Sequence, residues 1–185
     1  MRLNFIIMKK AIFFDRDGTI NIDKGYVHKI KDFEFIPKAI NALQLLSKTD
    51  YKLIVVTTQS GIGRGFYSEN DAAKVNDYMR SELRKHDVEI AKTYICPHSP
   101  DAGCSCRKPK TGLLESAAKD FNLKLKDCYV IDDKTAGIKM GKNAGCKTIL
   151  VLTGKAGNER GKFKVKPDFI AKDLYGAARY ILNKK

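Results

Sequence analysis

The stretch AIFFDRDGTI, residues 11–20, runs from four consecutive apolar residues directly into two carboxylates, an arginine and a glycine. A strand with one wet face alternates apolar and polar residues. AIFF is apolar on both sides, as a strand buried between two layers must be. The same pattern recurs along the chain in KLIVVTT (52–58), TYIC (93–96), CYVI (128–131) and KTILVL (147–152). Between these runs the apolar spacing is helical, over Pro37 to Ser47, Asn70 to His86, Thr111 to Phe121 and Thr135 to Ala144, with a last helix from Leu174 to Leu182. Ser68, with Asp71 three residues on, reads as an N-cap with an acidic first turn, and Gly145 as a helix stop. Strands alternating with helices imply right-handed crossovers and a parallel sheet covered on both faces. The expected fold class is therefore α/β, a three-layer sandwich around a central, mostly parallel, Rossmann-like sheet, in a single domain spanning residues 1–185.

Ligands of such sheets bind beyond the carboxyl ends of the strands, so the residues that follow each strand carry the functional reading. They are Asp15, Arg16, Asp17 and Gly18 after the first strand and Thr57, Thr58, Gln59, Ser60 and Gly61 at the end of the second. The third leads to Lys108, and after the fourth come Asp132, Asp133 and Lys134. Crowded carboxylates repel unless a cation lies among them, and a hard divalent ion with oxygen ligands, Mg²⁺ above all, suits the set. Asp15 and Asp133 can each supply an oxygen, while Thr57 and Lys108 offer a hydroxyl and a fixed positive charge to phosphoryl oxygens. Of the two aspartates in DRDG, one can act as nucleophile and the other as acid and then base. The assembly reads as phosphoryl-transfer machinery.

Composition narrows the classes. The 185 residues are 43% hydrophobic and 30% charged, and no apolar run approaches a membrane span. A net charge of +14 draws anions, whether nucleic acid or small phosphorylated molecules. No aromatic-and-basic groove pattern of the kind that binds single strands is present, so nucleic acid is not the expected partner. The basic stretch GKAGNERGKFKVK (154–166) reads as a solvated surface, and residues 1–7, ahead of Met8, as an extension the fold does not need.

Three of the five cysteines fall in one loop, CPHSPDAGCSC (96–106), at metal-ligand spacing rather than as a disulfide framework, which favours a reducing cytoplasm. Cys96, His98, Cys104 and Cys106 suit tetrahedral Zn²⁺ with no open position, hence a structural site. Cys128 and Cys146 read as small buried thiols. The loop ends at Arg107 and Lys108, so fixing Cys106 also fixes where those two cations point.

FFDRDGTI, VVTTQSGIGRG, CRKPKTG and VIDDK, in that order, resemble the four motifs of the haloacid dehalogenase-like phosphohydrolases. The resemblance spans about residues 9 to 155, and GYVHKIKDFEFIPKAI fits it too. More narrowly, DRDGTIN, TTQSGIGRG and the Cys-His-Cys-Cys loop before RKP are similar to the D-glycero-D-manno-heptose 1,7-bisphosphate phosphatases and their histidinol-phosphatase relatives. The resemblance implies that Asp15 forms an aspartyl-phosphate and that Asp17 is the general acid/base. Mg²⁺ would be held by Asp15, the backbone carbonyl of Asp17 and Asp133, with Thr57, Thr58 and Lys108 at the phosphoryl group. In this family the zinc loop stands where others carry a cap, and Arg107, after its last cysteine, would contact substrate. The short intervals between motifs leave no room for a large cap domain, so an open cleft is expected. His28 and Arg64 lie on loops where they either line the substrate edge or face solvent.

Two positions depart from the family pattern. Thr58 stands where an asparagine is usual, removing an amide that shapes the site, and Gly137 stands where a further acid often follows the metal-binding aspartate, although the adjacent pair Asp132-Asp133 resembles an accepted variant of that motif, so metal binding is expected to survive. The expected activity is Mg²⁺-dependent removal of the 7-phosphate from the heptose bisphosphate, by a cytoplasmic monomer or weak homo-oligomer. The alternatives are histidinol phosphate as substrate, a polynucleotide 3′-phosphatase, or a zinc-containing binding protein whose catalytic motifs have decayed.

Overall fold

The structure is a computed structural model that describes residues 9–155 and 165–184. The extension over residues 1–7, and residues 156–164 of the basic stretch, lie outside the described residues.

The AIFF run forms β1 (Lys10–Phe14), and its alternate side chains enter two different cores. Ile12 and Phe14 pack with Leu53, Val55 and Ile131, beneath helices α1 (Ala39–Ser47), α3 (Glu69–Arg84) and α6 (Leu174–Leu182). Ala11 and Phe13 turn the other way, to Ile54, Val56 and Val130, beneath α4 (Gly112–Phe121) and α5 (Thr135–Asn143). A period of two against two apolar layers is what makes every residue of the run hydrophobic. Phe13 and Phe14 are each 0% exposed, and burying such a side chain contributes about 1.5–3 kcal/mol.

The other strands are β2 (Tyr51–Thr58), β3 (Lys92–Cys96), β4 (Tyr129–Asp132), β5 (Lys147–Val151) and β6 (Phe169–Ala171). Every pairing among them is parallel, in the order β3-β2-β1-β4-β5-β6. The chain winds outward from β1 to β3, then crosses back to β4 and winds the other way. The strand order therefore reverses between β1 and β4, where the flanking connections diverge and leave a crevice. Phe14 pairs with Val55 on one side and Ile131 on the other, so the residues that follow these strands emerge side by side.

The five strands and five helices read from the pattern are present, and Ser68 caps α3 through a reciprocal box with Asp71. Gly145 ends α5 at φ +76°, in the left-handed region that glycine enters without strain. Among the described residues, a sixth strand and a further α-helix were not expected, nor were the 3-10 turns Ile30–Asp32 and Leu125–Asp127. The strand β6 has three residues and one strand partner, and α2 (Ser60–Gly63) is a single turn. Both are too short to carry a period. Among the described residues, no helix is long and apolar enough to cross a membrane.

Candidate active site

At the β1/β4 crevice the structure places Asp15, Asp132 and Asp133 together, 5%, 1% and 0% exposed, with a carboxylate oxygen of each within 4.8 Å of the others. Like charges about 4 Å apart repel by on the order of 4 kcal/mol at a protein's effective dielectric, so the cluster needs cations. Two lysines supply them. Lys108 Nζ donates to Asp15 Oδ1 and to Asp132 Oδ2, both at 2.7 Å. Burial alone would lower the Lys108 pKa, but the two carboxylates outweigh it and raise the ammonium to about 12.

Lys134 Nζ sits on the other side of the cluster, 3.9 Å from Asp15 Oδ2, 3.8 Å from Asp133 Oδ1 and 3.4 Å from the backbone carbonyl oxygen of Asp17. It also meets Asp23 Oδ2 at 3.3 Å. Asp133 Oδ2 accepts a hydrogen bond from the Lys155 backbone N–H at 2.9 Å, while Asp133 Oδ1 is buried with no hydrogen-bond partner. Burial, and then the charges of Asp132 and Asp15, push the Asp133 carboxyl up to about 7. An orphaned anionic oxygen, a second carboxylate and a carbonyl, already converging on one ammonium, form a donor set that suits a hard divalent cation. Gly18 keeps this space open. At φ +93° its missing Cβ would lie 2.4 Å from Asp133 Oδ2.

Asp17 is held by a separate shell. The fully buried Arg16 donates through Nη2 to both carboxylate oxygens, at 3.1 and 3.0 Å. Asn21 Nδ2 and Gln59 Nε2 each add a hydrogen bond at 2.9 Å. Arg16 is anchored in turn by Asn76 of α3 at 3.0 Å and the Val27 carbonyl at 2.7 Å. Gln59 also donates to Thr57 Oγ1 at 2.9 Å and accepts from Tyr67 Oη at 2.7 Å, so one amide ties Thr57 to Asp17. Thr58 Oγ1 is buried without a partner.

The Cys/His loop leaves β3 at Cys96. Its four donor atoms converge: Cys96 Sγ lies 3.7 Å from both His98 Nδ1 and Cys104 Sγ, and Cys106 Sγ lies 3.2 Å from His98 Nδ1 and 3.5 Å from Cys104 Sγ. Burial pushes the Cys96 thiol up to about 12, so a thiolate there calls for a cation. Three sulfurs and an imidazole at this separation suit a soft or borderline ion held tetrahedrally.

A cleft of about 240 Å³ brings together Asp15, Asp17, Thr57, Thr58, Arg107, Lys108 and Asp132, while Asp133 is fully buried beside Asp15 and Asp132. Arg107 Nη1 donates to the His98 carbonyl at 3.3 Å, which couples its guanidinium to the thiol loop. His28 instead stacks on Tyr67, ring centroids 4.8 Å apart, and Arg64 is exposed at the end of α2. Arg16, Gln59, Asp132 and Lys134 were noticed at the strand ends without a role, and Tyr67 was missed. The signal for Arg16 was present: a charge between two aspartates that follow a buried strand needs partners. Cys128 and Cys146 are buried free thiols.

Residues 105–177 match the HAD-hydrolase-like family. A Pasteurella multocida protein, D-glycero-beta-D-manno-heptose-1,7-bisphosphate 7-phosphatase, is 44% identical over 84% of this chain and 88% of its own. The alpha-anomer 7-phosphatase of Campylobacter jejuni is 45% identical over 77% of this chain and 82% of its own. Among solved structures, the D,D-heptose 1,7-bisphosphate phosphatase of B. bronchiseptica, complexed with magnesium and phosphate, superposes with a TM-score of 0.90 at 27% identity, covering 96% of this chain and 100% of that one. With relatives this similar over most of its length, a parallel sheet split at β1/β4 and a carboxylate cluster at the split, the chain is a phosphatase and belongs to the haloacid dehalogenase-like hydrolases, in their heptose-bisphosphate phosphatase family.

Proposed function

We propose that the protein removes the 7-phosphate of a D-glycero-D-manno-heptose 1,7-bisphosphate, with Asp15 as nucleophile. The observation that carries this reading is the pair of cations on the Asp15 carboxylate, Lys108 at 2.7 Å on one oxygen and Lys134 at 3.9 Å from the other. Asp15 lines a cleft whose walls also bring hydroxyls, Arg107 and Lys155. Asp15, the Asp17 carbonyl and Asp133 would hold Mg²⁺. When bound, the ion neutralises these carboxylates and the phosphoryl oxygens, so that anion can approach anion.

Asp15 attacks phosphorus as the bond from phosphorus to the sugar oxygen breaks. Asp17 gives its proton to the leaving alkoxide, then takes one from the water that cleaves the aspartyl-phosphate, releasing inorganic phosphate and regenerating Asp15. Arg16, Asn21 and Gln59 keep its carboxyl aimed while the proton moves. Lys108 and Thr57 stabilise charge on the transferring group, Thr58 adds a hydroxyl, and Arg107 faces the substrate. A second lobe of about 240 Å³, lined by Asp23, Tyr26 and Tyr67 and sharing Asp17, Lys134 and Lys155 with the first, gives the sugar a place beside the chemistry. Cys96, His98, Cys104 and Cys106 would hold Zn²⁺, which would staple the loop that presents Arg107 and Lys108.

The test is phosphate release from both anomers of the heptose bisphosphate, histidinol phosphate and a 3′-phosphorylated oligonucleotide, with and without Mg²⁺. Preference for a heptose bisphosphate is expected. Equal or faster release from histidinol phosphate would defeat the substrate assignment, and no release from any compound would defeat the activity.

A further inference from the structure

The two oxygens of the Asp133 carboxylate are treated differently by the protein. Oδ2 accepts the Lys155 backbone N–H at 2.9 Å, and a Cβ at Gly18 or at Gly154 would fall on that same oxygen, at 2.4 and 2.0 Å. Gly18 belongs to the turn after β1, and Gly154 to the segment that follows β5. β4 lies between those two strands, yet the segments meet beyond its end: Thr153 Oγ1 donates to the Gly18 carbonyl at 2.6 Å. Oδ1 is left buried without a hydrogen-bond partner, with Lys134 Nζ 3.8 Å away. The two glycines serve for different reasons. At φ +93° Gly18 would strain any side chain, whereas the φ of Gly154 lies outside the left-handed region, and what a side chain there would meet first is Asp133 itself.

We infer that Thr153, Gly154 and the Lys155 N–H form a cradle that commits one oxygen of Asp133 to the protein and leaves Oδ1 as its single ligand for Mg²⁺. Thr153 and Gly154 are then positioning residues for phosphoryl transfer, acting through Asp133. Mg²⁺ tolerates little deviation from octahedral geometry, whereas Ca²⁺ takes more oxygens in looser arrangements, including both oxygens of one carboxylate. A carboxylate pinned by Oδ2 cannot turn to offer both. The cradle therefore favours the smaller ion. By tying the segment after β5 to the turn after β1, the Thr153 bond also keeps Asp133 in register with Asp15 and the Asp17 carbonyl, which come from that same turn.

The role in turnover rests on the phosphatase reading, and ion binding tests the cradle apart from it. Mg²⁺ and Ca²⁺ are each titrated against bound Mn²⁺, followed by its electron paramagnetic resonance, in the full chain and in T153V, T153S and G154A. Turnover of the heptose bisphosphate is measured alongside over a range of Mg²⁺. G154A drives a methyl group onto Asp133 and is expected to weaken Mg²⁺ binding about 30-fold, and T153V about tenfold. T153S keeps the hydroxyl and is expected to stay within about twofold of the unsubstituted chain. Ca²⁺ binding is expected to fall by less than about threefold in every variant, and excess Mg²⁺ to return most of the lost turnover in T153V. Should G154A fail to fold, T153V and T153S still decide the matter. Unchanged Mg²⁺ binding in T153V overturns the inference. So do equal losses for the two ions, or a T153S protein as impaired as T153V, since either would make the contact structural only. A chain that shows the expected ion binding yet releases no phosphate defeats the functional reading and leaves the cradle standing.

Discussion

Two clusters of side chains that could hold a metal ion lie at the carboxyl edge of the same sheet, and they are organised in opposite ways. The carboxylates of Asp15, Asp132 and Asp133 are buried at the centre of the sheet and come with internal cations, Lys108 and Lys134, which bind them at 2.7 to 3.9 Å. The donors of Cys96, His98, Cys104 and Cys106 stand on a loop that is partly exposed, and they contact one another. The fold can therefore assemble the first cluster from its own charges. The second would get its order from an ion joining its donors, as in other small thiolate sites. Three consecutive residues, Cys106, Arg107 and Lys108, connect them, so an ordering event in the loop is transmitted to the charge over Asp15.

The largest expected effect isolates the first cluster. Asp15→Asn keeps the side-chain volume and removes the attacking oxygen, so turnover of the heptose bisphosphate should fall by about 10⁴-fold or more while the melting temperature is preserved. An active variant would break the assignment at its root. The second effect tests the connection. Cys106→Ser removes one ligand of the loop, and a loss of about 3 kcal/mol lowers Tm by about 6–12 °C in a chain of this size. Because Lys108 follows two residues later, kcat should also fall about 100-fold. Added Mg²⁺ should not restore it. If stability falls and kcat does not, the two clusters are independent and the loop is only a staple.

The same contrast explains what the sequence made legible. The sheet could be read because strands buried on both faces leave runs such as AIFF and LIVV that have no other economical explanation. The thiol loop could be read because its ligands are close in sequence. Lys108 came with it. The partners of Asp17 could not be found this way, since Arg16 is satisfied by Asn76, sixty residues along the chain, and Gln59 reaches back forty-two residues to Asp17. What lies against Gly137 could not be read either, since the Asp132 carboxylate meets it only once α5 is packed over β4. The strand β6 escaped because three residues cannot show a period.

A third prediction asks how far the rigidity of the carboxylate side depends on its outer hydrogen bonds. Gln59→Leu removes the amide that joins Thr57 to Asp17, leaving Asp17 with Arg16 and Asn21. Outer partners of this kind are worth about 10- to 100-fold, and the lower figure is expected here because two of the three holders survive. The fall should appear in kcat more than in KM, and the loop should keep its metal, as elemental analysis of the purified variant would show. Loss of that metal would mean that the two sides share more than residues 106–108.

The smallest effect lies one bond further out. Tyr67 Oη donates to Gln59 Oε1 at 2.7 Å and so decides which end of the amide faces Asp17: with the oxygen held by Tyr67, the NH₂ group must point to Asp17 and Thr57. Tyr67→Phe leaves Gln59 Oε1 without that donor and lets the amide turn, which should lower kcat by only about 3-fold, a net hydrogen bond of ordinary strength. Burial raises the Tyr67 hydroxyl to about 12, so it remains a donor across the neutral pH range. The ratio of the two proteins' kcat should therefore stay constant from pH 6 to pH 9. The pKa difference acts on stability only in alkali. A folded value above the unfolded one of about 10 leaves its contribution intact below pH 10 and removes it as pH rises toward 12, so the native protein should lose stability there more steeply than Tyr67→Phe. A kcat ratio that changes between pH 6 and pH 9 would mean that Tyr67 titrates with the reaction, and the orientation of the amide would then not be its role.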